Sequence, residues 1–136
     1  MTWRTFLSLD PGEKHCGTAR FKNGKCQWAR EYDPQGLFTL LEHTTVQGVI
    51  SESFRLYPNK AAAQFWSQLK TVEVIGVIKY ICKMRGIPVI EQPASIKIPI
   101  AAQLAARHYK YKSHGHGGHA KDSEYHGMYY LARNKK

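Results

Sequence analysis

Asp10 ends the apolar run Phe6-Leu7-Ser8-Leu9 and is followed at once by Pro11 and Gly12. A carboxylate at the tip of a buried strand, with a tight turn behind it, suits a hard cation. Glu52 closes the next strong apolar run, Gly48-Val49-Ile50-Ser51, and Asp122 opens the last apolar-periodic segment, three residues after His119. Two strand-end acids and a helix-borne His-x-x-Asp are the donor set for phosphodiester hydrolysis assisted by two cations. One carboxylate bridges the ions about 4 Å apart, and an imidazole near neutral pH either binds an ion or takes a proton from water. Singly, each residue has a plainer explanation. An Asp before Pro-Gly is most often a turn former, a strand-end Glu the first solvated residue, and an Asp near a helix start a cap. The chemical reading rests on their conjunction.

The surrounding pattern supplies elements to hold these groups. Arg4 to Leu9 reads as a strand, Cys16 to Phe21 as a second, and Lys25 to Glu31 as a third, with Asn23-Gly24 a strong hairpin signal between the last two. Asp33-Pro34 breaks this meander, and Gln35 to His43 has the spacing of a short amphipathic helix. Gly48 to Glu52 is a brief apolar strand of the kind covered on both faces. Ala61 to Leu69 and Thr71 to Met84 read as one broken helix or two, and Gly86 ends the second. Ile87 to Glu91 is a further strand, made parallel to the fourth by the helical crossover. Pro93 and Pro99 bracket a loop, Ile100 to His108 is a short helix, Tyr109 to Gly118 a glycine- and histidine-rich loop, and His119 to Arg133 the final helix. This order predicts an α/β domain with a mixed five-stranded sheet, three antiparallel N-terminal strands plus two parallel ones, and helices on both faces. Asp10, at the middle of such a sheet, is the natural bridging ligand.

With 136 residues the chain is expected to form a single domain over 1–136. Lys and Arg number 20 against 10 acids, a formal net charge of +10. That excess favours a polyanionic partner, most simply nucleic acid, although charge alone also fits a merely soluble basic protein. No apolar run approaches a membrane span, and Met1-Thr2-Trp3-Arg4 leads straight into the first strand without a signal-peptide pattern. Cys16, Cys26 and Cys82 are odd in number and unrelated in spacing, so a reducing, cytoplasmic setting without disulfides is expected.

Several groups suit contact with a nucleic acid. Phe54 to Lys60 mixes stacking and cationic side chains, and Arg55, Tyr57 and Lys60 are better placed for DNA than Leu56, whose ordinary place is the core. Lys110, Lys112, His114 and His116 occupy the glycine-rich loop and suit backbone phosphates. Lys14 and Lys97 each follow a strand end that faces the acids, though a solvated lysine explains either. A zinc site from His114, His116 and His119 is a weaker reading, since no cysteine lies nearby. The apolar face Val74 to Cys82 is core by default and would also serve a symmetric dimer.

Taken in order, Leu7-Ser8-Leu9-Asp10-Pro11-Gly12 with Gly17, Val49-Ile50-Ser51-Glu52-Ser53-Phe54, Gly86-Ile87-Pro88-Val89 and His119-Ala120-Lys121-Asp122 resemble the RuvC-type Holliday-junction resolvases of the ribonuclease H-like superfamily, in a small phage-type form. The resemblance implies a metal-dependent, structure-selective endonuclease that resolves four-way DNA junctions as a homodimer, in the cytoplasm of a bacterial host if phage-encoded. It implies that Asp10, Glu52, His119 and Asp122 are catalytic and hold two Mg²⁺ ions, with Mn²⁺ able to substitute, and leaves Glu124 and His126 as alternative ligands on the same helix. The aromatic that enters the junction is then Phe54 or Tyr57. Two other readings stand beside this one: a ribosomal-RNA processing nuclease of the same fold, and a non-catalytic basic nucleic-acid-binding module.

Overall fold

The computed structural model describes residues 2–54 and 61–134. Five strands form one mixed sheet: β1 (Thr5–Asp10), β2 (Cys16–Lys22), β3 (Lys25–Tyr32), β4 (Gly48–Glu52) and β5 (Val89–Gln92), in the spatial order β3-β2-β1-β4-β5. β1, β2 and β3 are antiparallel, while β4 runs parallel to β1, and β5 parallel to β4. The hairpin at Asn23-Gly24 forms as its sequence demands, both residues adopting positive φ, 53° and 80°.

Helices cover both faces. α1 (Pro34–His43) and α2 (Ala62–Arg85) lie on one side, α3 (Lys97–Ala106) and α4 (Gly118–Asn134) on the other. Asp33 caps α1 by accepting the Gly36 N–H at 2.7 Å, with Pro34 at the first helical position. Side-chain alternation along β1 sorts the two cores: Leu7 and Leu9 pack with Leu37, Leu41, Val74, Ile78 and Cys82, whereas Phe6 packs with Phe21, Ile50, Leu104, Met128 and Tyr130. The Val74–Cys82 face of α2 is therefore core.

Beyond shifts of one or two residues at element ends, the helices and the last strand differ from the sequence reading in three places. α2 is one unbroken helix, since nothing between Leu69 and Thr71 disfavours helical backbone, and it ends at Gly86 in the left-handed conformation. α3 begins at Lys97, preceded by a short 3₁₀ turn (Ala94–Ile96), so Pro99 lies inside the helix and not at the end of a loop. A proline is tolerated there because amide N–H groups of a first turn have no intrahelical partner. The last strand starts at Val89, two residues later than its apolar run, and carries a 40% exposed Ile90 at the sheet edge.

Candidate active site

The parallel register brings β1 and β4 to their carboxyl ends together: Leu9 pairs with Ser51, so Asp10 and Glu52 follow side by side. Asp10 alternates with Phe6 and Ser8, and Glu52 with Ile50, which turns both acids toward the α4 face of the sheet. The carboxyl end of parallel strands is where α/β sheets open a crevice for ligands.

α4 reaches this edge because its inner surface is small. Ser8 donates from its hydroxyl to the Ser123 carbonyl at 2.6 Å, and a Cβ on Gly17 would overlap the His119 carbonyl. A Cβ on Gly127 would likewise overlap the Phe21 ring. Glu31 at the end of β3 accepts the His119 backbone N–H at 3.0 Å, placing a carboxylate at the positive end of the helix. A side chain at Gly117 would displace that carboxylate.

His119 and Asp122, one turn apart, are thereby carried to the strand-end acids. Asp10, Glu52, His119 and Asp122 line one groove of about 430 Å³, with Lys14, Lys97 and Phe54 also on its walls. Two larger clefts, of about 560 and 550 Å³, lie elsewhere and hold none of these acids. Nδ1 of His119 lies 2.8 Å from Oδ2 of Asp10. Nζ of Lys97 bridges the other two acids, 3.0 Å from Oε1 of Glu52 and 3.1 Å from Oδ2 of Asp122. Each carboxylate is thus matched to a protein cation or donor, and among the described residues no three His, Cys, Asp or Glu side chains are drawn together tightly enough to hold one metal ion. His114 and His116 accordingly make no cluster with His119.

The electrostatics are those of crowded acids. Burial pushes the Asp10 carboxyl above its ordinary value, against the His119 hydrogen bond, and the charges of Glu52 and Asp122 push the same way. Burial would raise Glu52 as well, but hydrogen bonds from His126 and Lys97 outweigh it and hold that carboxyl low. Lys97 loses hydration on burial, yet its two carboxylates raise its pKa overall. The hydrogen bond to Asp10 raises His119, more than burial lowers it. Two carboxylates share one ammonium and the third is paired with an imidazole; hard oxygens of this kind are the ligands that Mg²⁺ prefers.

The other sequence candidates fall differently. Lys110, Lys112, His114 and His116 do not line the groove; their segment is held against α4 by Glu124. Glu124 is fully buried and accepts from the Tyr109 hydroxyl at 2.5 Å and from the backbone N–H groups of Lys112 and Ser113, each at 3.0 Å. It is a loop anchor and takes no place among the ligands. His126, also fully buried, bonds Glu52 directly and faces no open space in the groove. Arg55, Tyr57 and Lys60, with Leu56, lie outside the described residues, whereas Phe54 is 37% exposed at the groove. Glu31 and Gln92 carry no local signal in the sequence: one lies near the end of a meander strand and the other closes the edge strand.

Comparison with solved structures places this architecture. A T. thermophilus RuvC in complex with a Holliday junction substrate matches over 95% of this chain and 94% of its own, with a TM-score of 0.67 and 14% identity. The fold is that of RuvC. A second Thermus thermophilus RuvC structure covers 95% of each chain with a TM-score of 0.57 and 16% identity. No family model and no curated protein matches the sequence. The sheet and its helices thus match the RuvC fold at only 14–16% identity, and the residues that hold α4 against the sheet are small ones that no composition measure would select.

Proposed function

We propose that this protein is a metal-dependent endonuclease that resolves four-way DNA junctions. The observation that carries this reading is the meeting of Asp10, Glu52, His119 and Asp122, from three segments far apart in sequence, in one groove at the carboxyl end of the sheet. The RuvC fold supports it, and one structure of that fold is bound to a Holliday junction substrate. The net charge of +10 suits a polyanion.

Asp10, Glu52, Asp122 and His119 would hold two Mg²⁺ ions, or Mn²⁺ in their place. Such ions supply charge neutralisation at the phosphate and acidify water near neutral pH. The chain's own groups then have distinct tasks. Asp10, central and buried, presents its carboxylate between the Glu52 arm and the α4 arm. His119, donating from Nδ1 to Asp10, keeps Nε2 for an ion or for the proton of an attacking water. Lys97 exchanges its carboxylate partners for a phosphate oxygen as the substrate enters. Phe54 borders the scissile region, and Lys14 meets backbone phosphate. Trp66, Val77, Tyr80 and Met84, exposed by 63, 40, 63 and 67%, recur along one stripe of α2 and are the natural seam of a homodimer.

The test is cleavage of a four-way DNA junction in Mg²⁺, beside linear duplex and a structured RNA. The junction alone should be cut, and Asp10→Asn should abolish cutting while still binding it. An Asp10→Asn protein that cuts would end this reading, RNA cleavage would favour a processing nuclease, and binding without any cleavage would make the protein a non-catalytic module.

A further inference from the structure

Glu52 receives two hydrogen bonds on the same oxygen, Oε1: from Nζ of Lys97 at 3.0 Å and from Nε2 of His126 at 2.7 Å. The two donors differ in kind. The Lys97 side chain is 25% exposed and shared with Asp122, so it can swing away, whereas the His126 side chain is 0% exposed and walled in by α4 and the sheet. The other ring nitrogen of His126, Nδ1, lies 2.9 Å from Oε1 of Gln92, itself only 6% exposed. Gln92 is the register neighbour of Glu52 across the β4–β5 pair, so the sheet sets the distance between the two ends of this hydrogen-bonded chain.

A buried imidazole and amide are costly unless each polar atom is bonded, and an apolar pair of like volume would fill the space without that cost. An ionised carboxylate only accepts, so Nε2 carries a proton toward Glu52 whichever end of the Gln92 amide faces Nδ1. The ring is thereby held at both nitrogens, with Nε2 donating to Oε1 of Glu52, whose side chain lines the groove.

We propose that His126 and Gln92 are a positioning pair that orients the Glu52 carboxylate for a divalent cation. The inference rests on the nuclease reading in that the cation is the one assigned to the groove. Lys97, partly exposed, would give up Glu52 to an ion held there, whereas His126, fully buried, would keep its bond. Partners of this kind fix a ligand's rotamer before binding, which removes an ordering cost from the association.

Calorimetric titration of the full chain with Mn²⁺ tests this without cleavage as the readout. His126→Leu should weaken Mn²⁺ by about 10–100-fold, and Gln92→Leu by about tenfold, the usual range for partners that orient a ligand. His126→Gln, which keeps an N–H donor on a side chain of similar reach, should recover most of that affinity. Junction affinity in chelator should stay within about twofold throughout, since neither residue reaches the groove, and excess Mn²⁺ should restore kcat to His126→Leu. Should His126→Leu not fold by circular dichroism, Gln92→Leu decides alone. A folded variant of either residue with wild-type Mn²⁺ affinity overturns the positioning role. A wild-type protein that takes up no Mn²⁺ instead overturns the metal assignment itself, so the two failures are told apart.

Discussion

Gly17 on β2 and His119 on α4 meet main chain against main chain: a Cβ on the glycine would occupy the position of the histidine carbonyl. His119 is thereby held within 2.8 Å of Asp10, and Asp122 follows one turn along the same helix. The approach of a helix to the strand edge, set by one missing methyl group, decides whether the acids share a groove.

Gly17→Val should therefore separate folding from chemistry. Backbone cannot yield as a flexible side chain can, so the start of α4 must shift, at a cost of about 1–3 kcal/mol. For a chain of this size that is about 4 °C of Tm per kcal/mol. Cleavage should fall by at least about 100-fold, because a displacement near 1 Å misplaces catalytic groups by that factor. Thermal melting with a junction assay on the same sample checks both, and full activity in a folded Gly17→Val protein would show that the close approach has no part in catalysis.

Much of the frame is visible in the chain, because it rests on local chemistry. The Asn23-Gly24 turn, the apolar strand Gly48–Glu52 and the Gly86 helix stop each depend on a few adjacent residues, and all form where their pattern places them. Asp10, Glu52, His119 and Asp122 could be named because strand ends and a His-x-x-Asp turn mark them. Partnerships are another matter. His126 lies 74 positions from Glu52 and 34 from Gln92, and only the β4–β5 register with the α4 approach brings the three together. The position of the basic loop in the chain suggests a place beside the acids, but the Glu124 carboxylate, a spare ligand by sequence, holds it elsewhere. Pro99 misleads for a local reason, since a proline reads as a break although a first helical turn accepts it.

Lys97 sits where positive charge is wanted, between Glu52 and Asp122, and must give way for an ion to bind there. Lys97→Met should tighten Mn²⁺ binding by about tenfold, or about 1.4 kcal/mol, by removing this competitor. Cleavage should nonetheless fall, since the phosphate loses its ammonium partner. Titration calorimetry and single-turnover cleavage separate the two effects. Weaker Mn²⁺ binding in the variant would mean that Lys97 organises the acids and does not compete for them.

Stability should depend on pH with opposite signs at the two ends of the site. The Asp10 hydrogen bond raises His119 above 6.5, so the folded state holds that proton more tightly than the unfolded chain. This contribution is complete below pH 6.5 and is lost as pH climbs through the folded-state value. Glu52 is lowered from 4.5 because the His126 and Lys97 bonds outweigh burial, so it contributes above pH 4.5 and fades as pH falls through its folded-state value. Both contribute in full between 4.5 and 6.5. Urea denaturation should show His119→Ala costing more at about pH 5.5 than at about pH 9, by at most about 1 kcal/mol given a partly exposed ring. Glu52→Gln should cost more at about pH 6 than at about pH 3. Asp10 is raised chiefly by burial, which neither substitution removes. Costs that do not change with pH would remove both couplings.

Glu124 gives the clearest case of a buried charge whose work is structural. Its carboxylate gathers three donors, the Tyr109 hydroxyl and the amides of Lys112 and Ser113, and so fastens the loop that carries Lys110, Lys112, His114 and His116. Its removal in Glu124→Ala would leave donors unpaired in a closed space, at about 1–3 kcal/mol each, a large share of the total stability. Glu124→Gln retains an oxygen but presents an N–H to at least one donor, so it should cost less than alanine and still loosen the segment. Amide exchange should accelerate at residues 109–116 in both variants and stay slow in β1. If those lysines meet phosphate, junction affinity should also fall with a shallower dependence on salt, by roughly 0.9 in slope for each phosphate no longer neutralised. Unchanged exchange across 109–116 in a folded Glu124→Ala protein would show that the loop holds its shape without the carboxylate.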